Sequence, residues 1–357
     1  MPEKKNILIC PLNWGLGHAS RCIPIIKILN QAGHQVIIAA GGVAFSLLKN
    51  TFPENKCIRF DDYNIRYSKG RHLVRKIIFQ APKILSGIVS EHFKLKKIVR
   101  EHRIDTVISD NRFGLWNKKV RTVYITHQLF IKSPKGNTFT ENFLKRVHRY
   151  FIMKYDACWI PDMEGDFKLS GDLSGKHPIP GNARFIGLLS DFGEPTPGAM
   201  IEYDICAVIS GPEPQRTLFQ DLLLDQLRQS DKKAVVVLGL PSGNMVNTKE
   251  KKLTVYNYLP PSEIQKFFMC SEYVIARSGY STIMDLATTG KKAILVPTPG
   301  QTEQEYLAGY LMKKKILYST TQENFNLNEA VKNAAAYAGI SLPRNKEQLK
   351  EIILSTI

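Results

Sequence analysis

The sequence predicts an α/β protein built of two doubly wound parallel sheets. Short apolar runs alternate with helix-periodic segments from one end to the other. Each run is continuously apolar rather than alternating, so both faces of each strand are buried, as in a parallel sheet covered by helices. The 357 residues, 43% hydrophobic and 23% charged, suffice for about two domains. That composition excludes disorder over most of the length.

In the first half the runs Asn6–Cys10, Gln35–Ala40, Thr106–Ser109, Val120–Thr126 and Ala157–Ile160 are predicted strands. The first is too short for the apolar region of a signal peptide. In the second half the strands are Ile205–Ser210, Ala234–Gly239, Leu253–Tyr256, Tyr273–Ala276 and Ala293–Val296. Helical spacing marks Arg21–Ala32, Gln215–Gln229, Pro261–Cys270 and Ser281–Thr289, and the last stretch, Arg344–Ile357, follows a proline as an amphipathic helix. The Pro, Gly and acid-rich run Leu188–Gly198 reads as a linker. The expected domains are 1–190 and 200–343, with the helix 344–357 packing back on the first. The six cysteines form no C-x-x-C pair and no metal spacing, which suits buried, reduced thiols in a cytoplasmic protein. No apolar run approaches the ~20 residues that span a bilayer.

Charge divides the chain unevenly. Residues 1–190 hold 31 basic and 14 acidic side chains, whereas 191–357 hold 18 of each. The whole excess of +17 therefore sits in the first half. Residues 65–103 alone carry Arg66, Lys69, Arg71, Arg75, Lys76, Lys83, Lys94, Lys96, Lys97, Arg100 and Arg103 against Glu91 and Glu101. Such an asymmetry predicts an anionic partner for the first domain. No nucleic-acid-binding motif accompanies it, so a nucleic-acid partner is not expected.

Two loops carry the chemistry. After the first strand, Gly15-Leu16-Gly17-His18 opens a helix, a place where backbone N–H groups meet a ligand. A nicotinamide site there would need an acid about 20 residues on. None occurs between Glu3 and Glu54, so a dinucleotide site is not expected at this loop. His18 sits at the mouth of that helix, either capping its neighbours or facing a substrate. In the second half, Arg277-Ser278-Gly279-Tyr280-Ser281-Thr282 opens a helix that carries Asp285. Small residues and hydroxyls at a helix N-terminus form a diphosphate cradle, and an acid one turn later can take ribose hydroxyls. The polar loop after the next strand, ending in Gln304, lies beside it and can bind a sugar.

Residues 273–308 resemble the donor-site signature of glycosyltransferase family 28 in Ser278-Gly279, the acid Asp285, Pro297, Gln304 and Ala308. The best-known member of that family is an N-acetylglucosaminyltransferase acting on lipid-linked muramyl-pentapeptide. The first loop is similar to the family's glycine-rich loop at Gly15, Gly17 and His18, and Thr126-His127-Gln128 resembles a His-Glu-Gln stretch on the acceptor side. The resemblance implies GT-B architecture, two Rossmann-like doubly wound domains facing a cleft. It also implies inverting transfer without a metal or cofactor, from a nucleotide-sugar bound by the second domain, a UDP sugar such as UDP-N-acetylglucosamine in that family's manner. By the same correspondence Leu259 meets the base through its backbone, Asp285 holds the ribose, Ser278 and Gly279 lie at the diphosphate, and Gln304 lies at the sugar. Arg277, Ser281 and Thr282 complete the donor site. The chain departs from the family after the second domain's first strand, where only Ser210-Gly211 matches. There Arg216 would bring charge to the diphosphate instead of backbone contacts.

Inverting transfer requires a general base and stabilisation of the leaving diphosphate. His18 is the first candidate for the base. Asp110, ending a strand at the crevice edge, is the second, unless it merely pairs with Arg112. The expected acceptor is lipid-linked or otherwise anionic, with the protein cytoplasmic and peripheral on an anionic membrane surface. A nucleotide-sugar epimerase would need a cluster of carboxylates, and only Asp110 is available. A non-catalytic nucleotide-sugar binder is the remaining alternative.

Overall fold

Continuous apolar runs, once paired, leave no strand face for water, and the chain solves this twice. The computed structural model describes residues 3–62, 81–132, 138–193, 198, 200–240, 247–343 and 345–357. Arg66, Lys69, Arg71, Arg75 and Lys76 of the basic stretch, and residues 194–197 of the predicted linker, lie outside the described residues. The chain divides into two units, one holding the described residues up to Leu189 and the C-terminal helix, the other Ser190–Pro343.

In the first unit, β1 (Asn6–Pro11), β2 (Gln35–Ala40), β3 (Lys56–Arg59), β4 (Thr106–Asp110), β5 (Arg121–Ile125), β6 (Ala157–Ile160) and β7 (Ala183–Phe185) form one parallel sheet. Its order is β3-β2-β1-β4-β5-β6-β7. The helices are α1 (Leu16–Gln31), α2 (Gly42–Thr51), α3 (Ala81–Glu101), α4 (Thr138–Ile152) and the short α5 (Asp172–Gly175). Ile7, Leu8, Ile9 and Cys10 of β1 are wholly buried, as the run predicts. Leu8 and Cys10 pack with Ile37, Ala39, Val107 and Leu95 of α3. Each such aliphatic side chain contributes about 1.5–3 kcal/mol by leaving water.

The second unit contains β8 (Tyr203–Val208), β9 (Ala234–Val237), β10 (Asn247–Glu250), β11 (Leu253–Tyr256), β12 (Ser271–Ala276), β13 (Ala293–Leu295) and β14 (Tyr318–Ser319). Their order is β10-β11-β9-β8-β12-β13-β14. Helices α6 (Gln215–Arg228), α7 (Pro261–Met269), α8 (Tyr280–Thr289), α9 (Thr302–Lys313) and α10 (Leu327–Ala334) accompany it. One face packs Ile205, Ala207, Val236 and Ile275 against Phe219 and Leu223 of α6 and Ala330 of α10. The sheet is parallel except at β10, which runs antiparallel to β11 through a tight turn with Lys251 at φ 43°.

The ten predicted strands are present. The four unpredicted ones, β3, β7, β10 and β14, are the four sheet edges. An edge strand has one neighbour and partial exposure, so it needs no apolar run. Lys56, Arg59 and Glu250 also blunt these edges against pairing with other chains.

The last helix, α11 (Lys346–Thr356), buries Leu349 and Ile353 in the first unit. Its N-cap Asn345 accepts the Gln348 N–H at 2.9 Å. Cations hold its C-terminal carbonyls. Arg184 Nη2 donates to the Ile352 carbonyl at 2.6 Å, Arg121 Nε to Thr356 at 3.0 Å and Lys5 Nζ to Ile357 at 3.0 Å. Positive charge at a helix C-terminus complements its dipole.

Candidate functional site

In a doubly wound sheet a ligand crevice opens where the strand order reverses, outside the carboxyl ends of the strands. In the first unit that point lies between β1 and β4. The loop after β1 turns at Gly15, whose φ of 81° with ψ of −174° is open only to glycine. The helix begins at once, so α1 starts at Leu16 rather than at Arg21, and the apparent glycine loop is its first turn. This correction matters because His18 and Arg21 then stand three residues apart on one face of a helix.

Both reach Asp110, the last residue of β4, which has no exposed surface. His18 Nδ1 lies 2.8 Å from Asp110 Oδ1. Arg21 donates Nε to Oδ2 and Nη2 to Oδ1, a bidentate fork. Burial pushes the Asp110 carboxyl up, but the charges and hydrogen bonds of Arg21 and His18 outweigh it and hold the group at about 2. The carboxylate is therefore anionic at neutral pH. Asp110 Oδ1 can accept a hydrogen from Nδ1, which leaves Nε2 as the acceptor nitrogen of a neutral ring, and Arg21 Nη2 stands 2.9 Å from the same Nδ1. His18 itself is partly exposed, with 15% of its side chain open. Arg21 Nη1 also donates to His127 Nδ1 at 3.1 Å, bringing His127 into the same cluster.

The two base candidates are thus one device. Asp110 is enclosed and contacts the partly exposed His18. It pairs with Arg21 and not with Arg112, whose partner is Glu91 at 2.6 Å. Thr126 Oγ1 accepts the Gln128 N–H at 3.1 Å, closing the turn after β5, and Gln128 remains partly exposed there.

The second unit reverses between β8 and β12. Gly211, in the loop after β8, has φ 110°, and a Cβ there would stand 3.4 Å from Thr298 Oγ1. Ser210 precedes it, half-buried. Ser278 is buried and donates its hydroxyl to the Gln304 carbonyl at 2.8 Å. The Gln304 side chain accepts the Thr298 N–H at 2.8 Å. The loops after β12 and β13 are therefore locked together. Gly279 caps α8, and a Cβ on it would meet open space. Ser281, Thr282 and Asp285 are the partly exposed residues of α8, among Ile283, Met284, Leu286 and Ala287, which are buried. Asp285 Oδ1 accepts the Ser190 hydroxyl at 2.5 Å. Leu259 is buried just before α7.

Two donor-side expectations change. Arg277 is enclosed, donating to the carbonyls of Val296 at 3.1 Å and Gln215 at 2.7 Å and to Gln322 Oε1 at 2.7 Å. Its guanidinium lies 4.4 Å over the Phe219 ring, and burial pushes it down to about 10. It braces the frame instead of lining a ligand space. Arg216 donates Nε to Glu213 at 2.7 Å and Nη1 to Gln220 at 3.0 Å, so Glu213 already balances the charge it would bring to a diphosphate.

Sequence reasoning missed Arg21 and Ser190. A helix starting at Leu16 would have signalled Arg21 through its spacing from His18. Ser190 carries no signal, because its partner lies 95 residues away.

The family model described as the glycosyltransferase family 28 C-terminal domain matches residues 208–351. A protein of Methanosarcina acetivorans described as an uncharacterized glycosyltransferase is 24% identical over 341 residues, covering 90% of this chain and 87% of its own. Among solved structures, the glycotransferase of kitacinnamycin is similar with a TM-score of 0.63 at 14% identity, covering 99% of this chain and 95% of that one. MurG of Acinetobacter baumannii is similar with a TM-score of 0.54 at 12% identity, covering 99% and 94%. With these structures the chain shares the GT-B fold, two Rossmann-like α/β units.

Proposed function

Because the chain is a glycosyltransferase of the family 28-like GT-B group, we propose that it transfers a sugar, with inversion, from a nucleoside-diphosphate sugar to a lipid-linked or other anionic acceptor. The observation that carries the reading is the buried Asp110 holding Nδ1 of a partly exposed His18 at 2.8 Å. His18 Nε2 takes the proton of the acceptor hydroxyl as that oxygen attacks the sugar's anomeric carbon. The Asp110 carboxylate stabilises the imidazolium that forms. The bond to the nucleoside diphosphate breaks, and the departing diphosphate carries the charge, which the donor unit stabilises. The mechanism uses no metal. A UDP sugar, with UDP-N-acetylglucosamine first, is the donor the family likeness favours.

Asp285 supports the donor assignment, standing on the exposed side of α8 one turn beyond the cradle. Asp285→Ala is expected to weaken UDP and UDP-N-acetylglucosamine binding by about 10–100-fold, the worth of one charged hydrogen bond. Calorimetry checks this, and unchanged affinity for both would remove Asp285 from the donor site.

The acceptor reading rests on the first unit's surface. On α3, Leu85, Val89 and Phe93 are exposed at four-residue spacing beside Lys94, Lys96 and Lys97. On α4, Phe139, Phe143 and Tyr150 are exposed beside Arg146 and Arg149. Trp116 joins the two helices: His92 of α3 stacks on it at 4.1 Å, and Lys154, just past α4, lies 4.6 Å over its ring. No described helix is long and apolar enough to cross a membrane. Apolar tips among bases suit peripheral attachment to an anionic cytoplasmic leaflet, each base adding about 1 kcal/mol. The protein is expected to sediment with phosphatidylglycerol vesicles at low salt and not with phosphatidylcholine vesicles. Reversing Lys94, Lys96 and Lys97 to Glu is expected to release it with donor binding intact. Failure of the unaltered protein to sediment would point to a soluble acceptor.

A further inference from the structure

The His18–Asp110 pair depends on two loops, and a single buried cation reaches both. Arg112 stands two residues after Asp110 and has no exposed surface. Its Nε donates to Glu91 Oε1 of α3 at 2.8 Å. Its Nη1 donates to the Phe60 carbonyl at 3.0 Å and its Nη2 to the Asp61 carbonyl at 3.1 Å. The guanidinium lies 4.3 Å over the Phe60 ring.

On one side, Arg112 is tied to Asp110 through its own backbone. Its carbonyl accepts the Ser109 hydroxyl at 2.7 Å and the Tyr155 hydroxyl at 2.6 Å. Between them Asn111 adopts φ 58°, with its N–H on the Ile125 carbonyl at 3.2 Å and its Oδ1 accepting the Tyr124 hydroxyl at 2.9 Å. On the other side, the Phe60–Asp61 carbonyls that Arg112 holds are followed by Asp62. The Asp62 carboxylate accepts the N–H of Asn13 at 2.9 Å, two residues before the Gly15 turn that delivers His18. Asn13 Oδ1 in turn accepts the Ala44 N–H at 3.3 Å, fastening the same loop to α2.

A buried ion pair is poorly explained by stability, since apolar replacements of like volume are often neutral or better. It is well explained by geometry, because a planar fork can satisfy a carboxylate and two carbonyls along fixed directions. We propose that Arg112 is a positioning residue for His18, fixing the loop after β4 directly and the loop after β1 through Phe60, Asp61 and Asp62. The importance of this role for turnover rests on the reading of His18 as the base, but the geometry is tested without it.

The test uses the full chain labelled with 15N-histidine, the His18 signal being identified by its loss in His18→Gln. The unaltered protein is expected to show His18 as the single Nδ1–H tautomer. Asp62→Ala cuts the arm to the β1 loop, and Arg112→Met with Glu91→Leu removes the hub without stranding a charge. Both variants are expected to show a mixture of His18 tautomers while melting within a few degrees of the parent. Asp62→Asn, which keeps an acceptor oxygen for Asn13, is expected to restore the single form. A His18 signal that stays in the single form in Asp62→Ala and in the double variant overturns the proposal. If the double variant does not fold, the contrast between Asp62→Ala and Asp62→Asn decides alone. Release of UDP from UDP-N-acetylglucosamine by His18→Gln reports separately on the base, so failure of that reading and failure of this one are told apart.

Discussion

His18→Ala is expected to lower turnover by ~10²–10⁴-fold, the usual contribution of a positioned general base, with donor affinity nearly unchanged. The residues proposed for the donor belong to the other unit, so removing an imidazole from the first leaves them as they are. Sugar transfer from UDP-N-acetylglucosamine to a membrane extract provides the assay, and calorimetry the control. Asp110→Asn is expected to lose much of the same activity by a different route. Its amide can donate to Nδ1 and so stabilise the tautomer that has a hydrogen on Nε2, where the base needs a lone pair. Near-normal turnover in His18→Ala, with a dead Asp110→Asn, would move the proton transfer away from the imidazole.

Arg21→Met is expected to destabilise the protein by about 3–5 kcal/mol at neutral pH, because it leaves the Asp110 carboxylate buried without its main partner. The pH dependence follows from linkage. In the parent, Asp110 is held at about 2, below its ordinary value of 3.8. Its contribution is present above about pH 4 and is lost as pH falls toward 2. In Arg21→Met, burial is less opposed, so the carboxyl rises. The stability gap between variant and parent is then widest at neutral pH and closes in acid. Urea unfolding at several pH values measures it. A constant gap would mean that Arg21 acts through packing alone. Adding Asp110→Asn to Arg21→Met is expected to recover part of the loss, since no charge is then stranded.

His18, Asp110, Ser278, Gly279 and Asp285 were legible one at a time in the sequence. Each stands where a strand meets a loop or a helix begins, and such positions follow from apolar runs and glycine turns. Whether two of them touch does not follow. Asp110 lies 92 residues from His18 and 89 from Arg21, and adjacency in the sheet brings them together. Arg277 and Arg216 show the converse. Both are basic residues expected at a phosphate, yet Arg277 donates its Nη atoms to the Val296 and Gln215 carbonyls and to Gln322, and Arg216 donates to Glu213 and Gln220. A charge reveals its partner only when burial and distance are known.

By itself the sequence determined the α/β class, the ten inner strands, the charge asymmetry and the glycine turns and helix starts that follow the strands. These depend on local composition and on burial of both strand faces, which neighbouring residues report. The tertiary structure alone decided the four edge strands, the start of α1, and which side chain answers which. Edge strands are defined by having a single neighbour. The neighbour of His18 Nδ1 is a carboxylate from a distant strand, and that carboxylate's charge is held by a guanidinium one helical turn past the imidazole.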